Sequence, residues 1–271
     1  MATFAGYDDD FLGTTVPLPV PLSPAHATRL DYPHFSVLLM HERRLAGSTA
    51  VNIDGAALVE VPRSGEWHLD PRVPAALQAG AEVYRRNDLD RGHLVRRRDP
   101  GWGTDAVAAT EATFAYPNAA PQVADFNQSP QLWLGLEDHV LTYADAHDHR
   151  VSVFTAPVLG ADDPPYRGIR IPRRFWKVAA WVDAPGALRS AAFLLDQSDL
   201  LDGSSLLTAD RARVSIAPLP PFLTFQVPAA DVAALTGLDL GPLVRADVLS
   251  VPAARRPRWV ALDTPDDITL V

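Results

Sequence analysis

Apolar residues fall along this chain in short dense runs, broken by clusters rich in proline, glycine and aspartate. Phe35-Ser36-Val37-Leu38-Leu39-Met40 predicts a strand, and Thr49-Ala50-Val51-Asn52-Ile53 a second, closed by the turn pair Asp54-Gly55. Pro74 to Tyr84 has helical composition, with Ala75, Ala76, Leu77 and Ala79. Thr113-Phe114-Ala115-Tyr116 predicts a short strand. The clearest helix runs from Pro130 to Ala146, where Trp133, Leu136, Val140 and Ala144 form one apolar stripe. Ser129 is placed to cap it, with Pro130 at its first position. Core strands follow at Val151 to Phe154, Phe175 to Val182, Ser190 to Leu195 and Phe222 to Val227, then a short helix over Asp231 to Leu235.

Residues 1–30 read as an extended lead-in, because Pro17, Pro19, Pro21 and Pro24 forbid helix there. No internal repeat and no linker divides the rest, so residues 31–271 read as a single domain. Strands, then a helix, then strands and a short helix predict an α+β fold with a central, mostly antiparallel sheet flanked by helices.

Composition adds exclusions. Of 271 residues, 47% are hydrophobic and 21% charged, as in ordinary globular chains. Cysteine is absent, which removes disulfides, zinc-thiolate sites and thiol nucleophiles. No apolar run approaches a membrane span, and the acidic start, with Asp8, Asp9 and Asp10, is unlike a secretory signal. These leave a cytoplasmic location or export by a non-classical route as the expectation. No P-loop, Gly-x-Ser-x-Gly or His-Glu-x-x-His occurs.

The net charge of −9 argues against a polyanionic partner, but its distribution argues the other way. Arg85 to Arg98 holds six arginines against two aspartates. Tyr166 to Lys177 holds four arginines and the chain's single lysine with no acid. Arginine suits bidentate contact with phosphate.

Chemistry concentrates in two stretches. In Asp90-Arg91-Gly92-His93-Leu94, followed by Arg96-Arg97-Arg98, a histidine able to accept a proton near neutral pH sits among phosphate-binding groups. A polar surface turn is the plain alternative. The second stretch is Asn118-Ala119-Ala120-Pro121-Gln122, then Asp125-Phe126-Asn127-Gln128, then Trp133-Leu134-Gly135-Leu136-Glu137. An amide oxygen just before a helix is a hard ligand of the kind magnesium takes. Asn127 as a cap and Glu137 as a solvated helix face are the plain alternatives.

In this order the stretches resemble the DNA/RNA non-specific endonuclease family, whose pattern is Asp-Arg-Gly-His, a strand ending Asn-x-x-Pro-Gln, an Asn, and Trp-x-x-Leu-Glu on a helix. The likeness extends from Asp31-Tyr32-Pro33-His34-Phe35-Ser36 to Phe225-Gln226-Val227-Pro228 and Leu235-Thr236-Gly237-Leu238, about residues 30 to 250. The interval from Asn127 to Trp133 is longer than in the family pattern. The resemblance implies a ββα-metal site with His93 as general base, Asn127 as direct magnesium (or manganese) ligand, Glu137 holding metal-bound water, and Arg91 on the phosphate. Asp90 and Asn118 occupy supporting motif positions. Arg96, Arg97, Arg98, Arg170, Arg173 and Arg174 are expected to line a nucleic-acid groove. The implied partners are DNA and RNA; a homodimer and an inhibitor or immunity protein are further expectations, and a membrane is not.

Two other classes stay open on sequence alone: a catalytically silent nucleic-acid-binding protein on the same scaffold, and a phosphodiesterase for small nucleotides. Asp145, His147, Asp148 and His149 form a further short acidic and histidine-rich stretch, read as a solvated turn rather than a metal site.

Overall fold

A computed structural model describes residues 4–23, 25–63, 65–124, 149–203, 223–249, 259–262 and 267–269. In chain order these residues form β1 (Val20–Pro21), β2 (Ala27–Tyr32), β3 (Phe35–Met40), β4 (Leu45–Asp54), α1 (Ala81–Tyr84), β5 (Leu89–His93), α2 (Ala106–Ala112) and β6 (Ala119–Val123). After residue 148 come β7 (Arg150–Val158), the small pair β8 (Pro165–Tyr166) and β9 (Ile169–Arg170), β10 (Arg174–Val182), β11 (Leu188–Asp196) and α3 (Ser198–Gly203). The last are β12 (Leu223–Val227), α4 (Ala229–Thr236), β13 (Leu238–Asp239), α5 (Leu243–Ala246) and β14 (Val260–Ala261).

Eight strands build one antiparallel sheet in the order β14-β12-β11-β10-β7-β4-β3-β2. This is the α+β arrangement expected from the sequence. The central strands are apolar almost throughout, where an antiparallel sheet with one wet face would alternate. The reason is burial on both faces. Alternate residues, among them Phe35, Val37, Val153, Phe175, Phe193 and Leu195, pack into one core cluster beneath the β5–β6 ribbon. Their neighbours Leu38, Phe154, Trp176, Val178 and Leu194 pack into a second cluster on the opposite face.

The opening segment belongs to that second cluster. Tyr7, Val16 and Leu18 are buried in it, the Tyr7 hydroxyl donates to the Val16 carbonyl at 2.8 Å, and β1 pairs with β13. Residues 1–30 thus contain β1 and the start of β2 as well as extended chain.

Two elements differ from the sequence expectation. Pro74 to Tyr84 is a 3-10 turn (Ala75–Leu77) and the short α1, interrupted because the buried Gln78 carboxamide turns inward, with Nε2 donating to the carbonyls of Asp70 and Val73. Thr113 to Tyr116 is the end of α2 leading into a 3-10 turn at Tyr116–Asn118, where Pro117 and the Thr113 hydroxyl bond to Thr110 favour a turn over an extended strand. The helix expected over Pro130 to Ala146 lies outside the described residues. No helix among the described residues is long and apolar enough to cross a membrane.

Candidate active site

Strands β5 and β6 form a separate two-stranded ribbon that pairs Asp90 with Gln122 and His93 with Ala119. The Asp-Arg-Gly-His motif is therefore extended backbone, not a surface turn. Because side chains alternate along a strand, Arg91 and His93 leave the ribbon on one side and Asp90 and Gly92 on the other.

Asn118 fixes where this ribbon begins. It is fully buried, and its side-chain Oδ1 accepts from the Val95 amide at 2.8 Å while Nδ2 donates to the carbonyls of Val95 and Thr113, both at 2.9 Å. Its own carbonyl accepts from the Leu94 amide. The end of β5 and the start of β6 are thereby locked together beside His93.

Gly92 meets a different demand. A Cβ at this position would come within 2.0 Å of Gln122 Oε1, so only glycine lets the Gln122 side chain cross the strand. Gln122 is wholly buried, yet among the described residues neither its Oε1 nor its Nε2 has a hydrogen-bond partner. Such a group carries a desolvation cost, and in native sites it commonly marks the place of a ligand or bound water.

Aromatic rings surround His93. Its imidazole lies 4.6 Å from the Trp67 ring and 5.2 Å from Phe114, which it meets edge-on, and Nε2 is buried with no hydrogen-bond partner among the described residues. Loss of water, together with the positive charges of Arg63 and Arg97, pushes the His93 pKa down to about 3. The ring is neutral across the physiological range. Trp67 also packs against Phe114 and Tyr116, and Tyr116 stacks on Tyr84. The Arg91 guanidinium lies over Tyr84, 5.3 Å from the ring centre.

Arg63 and Trp67 arrive on a segment anchored at both ends. The Val59 amide donates to Gly101, the His68 amide to Phe114, and the Tyr116 amide to His68. Beyond Trp67, buried Asp70 accepts from the Tyr32 hydroxyl and from Arg72, which hold its carboxyl below the usual range against the opposing effect of burial. Arg97 Nη1 donates to the Val61 carbonyl, tying the arginine run to this segment. The Arg97 guanidinium is held below its ordinary value, first by burial and then by its like-charged neighbours Arg63, Arg98 and Arg96.

The other predicted residues divide. Asp90, Arg91, His93 and Asn118 come together on the ribbon, with Arg96, Arg97 and Arg98 on the chain just beyond it. Arg173 instead makes a two-pronged ion pair with Asp202 at 3.0 and 3.1 Å, and Arg170 donates to the carbonyls of Ala161 and Asp163. Arg174 is half-buried at the start of β10. Asn127 and Glu137 lie outside the described residues, as do Asp145, His147 and Asp148. Among the described residues no three His, Asp or Glu side chains converge as a metal set. Arg63 and Trp67 were not legible as site residues, since nothing local in Arg63-Ser64-Gly65-Glu66-Trp67 signals a contact with His93, 26 to 30 positions on.

Three comparisons bear on this arrangement. The family model for DNA/RNA non-specific endonucleases matches residues 16–247. An uncharacterized protein, y4fB, of Sinorhizobium fredii (strain NBRC 101917 / NGR234) is 40% identical over 288 aligned residues. That alignment takes in 97% of this chain but 42% of that protein, so the chain spans about two fifths of its relative's length. A chain from the crystal structure of the EndoG/EndoGI complex, which concerns the mechanism of EndoG inhibition, superposes with a TM-score of 0.59 over 80% of this chain and 86% of its own. At 19% identity, that likeness is one of fold.

Proposed function

This chain belongs to the DNA/RNA non-specific endonuclease family, and on that premise we propose that it is a divalent-metal-dependent endonuclease that hydrolyses phosphodiester bonds in both DNA and RNA, with His93 as general base. What carries this reading is the grouping of like charge around a neutral histidine. Arg63 and Arg97 both act on His93, and Arg97 is further opposed by Arg96 and Arg98. Such a cluster is relieved by a polyanion, and phosphate is the anion that guanidinium groups match best.

The free protein holds His93 unprotonated, the state a base needs before reaction. Bound phosphate would offset the charge of Arg63 and Arg97 and so raise the imidazole's affinity for a proton. His93 then takes a proton from the water that attacks phosphorus. Arg91, braced on the Tyr84 ring, contacts the phosphate. Trp67 and Phe114 fix the imidazole plane and exclude bulk water, and Asn118 sets the strand end that carries it. Contacts of this kind read backbone charge and not base identity, which suits action on either nucleic acid.

The residues present fit a hydrated divalent ion. The carboxamide of Asn127 and the carboxylate of Glu137 are hard oxygen donors of the kind such an ion takes. Asn127 would hold the ion directly, and Glu137 its waters. When bound, it supplies neutralisation of charge on the phosphate and the leaving oxygen.

The test uses the purified chain with supercoiled plasmid and with a structured RNA, in magnesium, in manganese and in excess chelator. Cleavage of both substrates that chelator abolishes and metal restores is the expected result. Binding without cleavage in either metal would make it a silent nucleic-acid-binding protein. Full activity in chelator would remove the metal role.

A further inference from the structure

Between α1 and β5 the chain turns through Arg85, Arg86, Asn87 and Asp88, and both arginines are exposed. Arg86 adopts a left-handed conformation with φ 53°. A non-glycine residue keeps such a conformation only where its surroundings over-determine it, and such sites cluster where a protein binds or reacts. The surroundings do so here. Arg167, itself left-handed at φ 44°, donates from Nη1 to the carbonyls of Arg85 at 2.6 Å and Glu82 at 3.0 Å. Asn87 Nδ2 donates to the Val83 carbonyl at 2.6 Å and to the Tyr166 hydroxyl at 2.9 Å, while its Oδ1 accepts from the Leu89 amide. The acid nearest along α1, Glu82, is already paired with Arg44 at 2.7 Å.

We propose that Arg85 and Arg86 form a rigid phosphate-binding platform that grips nucleic acid beyond the bond being cut. The platform adjoins the candidate site along the chain. Tyr84, which carries the Arg91 guanidinium on its ring, immediately precedes Arg85, and Arg91 shares a ribbon face with His93. A strand of phosphates following this line passes from His93 to Arg91 and on to the turn. The second basic segment of the sequence does not offer the same, because Arg173 is paired with Asp202 and Arg170 with backbone carbonyls. A turn whose backbone is already held loses less conformational freedom on binding than a mobile one.

This inference rests on the nuclease reading and is tested apart from it. The double variant Arg85→Ser, Arg86→Asn removes both charges and keeps a residue that tolerates the left-handed region at position 86. Binding of a labelled long duplex and of a labelled trinucleotide is followed by fluorescence anisotropy across a salt series, in chelator so that nothing is cut. The variant's log-log salt dependence on the duplex becomes shallower by about 1.8, the loss of two phosphate contacts, and its affinity falls several-fold more for duplex than for trinucleotide. An unchanged slope and duplex affinity overturn the platform. Equal losses on the two ligands also overturn it, since they place the arginines at the reacting phosphate. A native protein that cuts, with a variant of unchanged slope, removes the platform alone. A native protein that binds but never cuts, with a variant of shallower slope, removes the nuclease reading alone.

Discussion

The indole of Trp67 lies 4.6 Å from the imidazole of His93, ring centre to ring centre, with 46° between the planes. The two residues come from separate segments, brought together by the bonds of the His68 backbone to Phe114 and Tyr116, of Val59 to Gly101 and of Arg97 to Val61. The consequence is chemical. The indole takes water away from the imidazole, and water is what a charged imidazole needs most.

Replacing Trp67 by alanine should therefore return solvent to His93. Its pKa should rise from about 3 toward the ordinary 6.5, read from the imidazole proton shifts across a pH titration by NMR. Since Trp67 is only half-buried, the loss of stability should be about 1–3 kcal/mol. A His93 titration unmoved by the substitution would show that the indole does not control it.

The same depressed pKa makes folding stability depend on pH. The unfolded chain holds a proton on His93 below about 6.5, and the folded protein holds one only below about 3. Between these values the unfolded state binds more protons, so this residue's contribution is present above pH 6.5 and is lost progressively as pH falls toward 3. His93→Asn removes that term. Urea melts of native and variant should show their stability difference shifting in the variant's favour between pH 7 and pH 4.5. Parallel stability curves would contradict the assignment of a neutral imidazole whose Nε2 is shut off from solvent.

Gly92 and Gln122 should behave as a coupled pair. Gly92→Ala places a methyl against the Gln122 carboxamide and should cost about 1–3 kcal/mol through overpacking. In a Gln122→Ala background the obstructing atoms are gone, and the same substitution should cost markedly less. Additive denaturation energies in the four-member cycle would mean that the contact does not constrain position 92.

The contrast between elements explains what the sequence could reveal. β3 coincides with the run Phe35 to Met40, because a short apolar segment buried on both faces has few other uses. β10 and β11 were legible for the same reason. The β5 strand was not, since Asp-Arg-Gly-His is polar and its extended form depends on pairing with residues about 30 positions away. Thr113 to Tyr116 was misread because β-branched and aromatic residues suit either a strand or a tight turn, and the deciding bonds are local to the fold. Of the candidate site, the motif residues His93, Arg91, Asp90 and Asn118 could be picked out through their resemblance to the family pattern. Arg63, Trp67 and the braced turn at Arg86 could not, because each owes its place to hydrogen bonds between distant segments.

At the centre stands the claim that His93 removes a proton from the attacking water. The most direct measurement is the nicking rate of supercoiled plasmid by His93→Ala in magnesium, with plasmid affinity of native and variant measured by gel shift in chelator. In the proposed mechanism phosphate contact rests on Arg91, Arg97 and their neighbours, so affinity should stay near native. General-base catalysis typically contributes 10²–10⁴-fold, so the nicking rate should fall at least about a hundredfold. A variant that binds plasmid and nicks it within a few-fold of the native rate would contradict the claim.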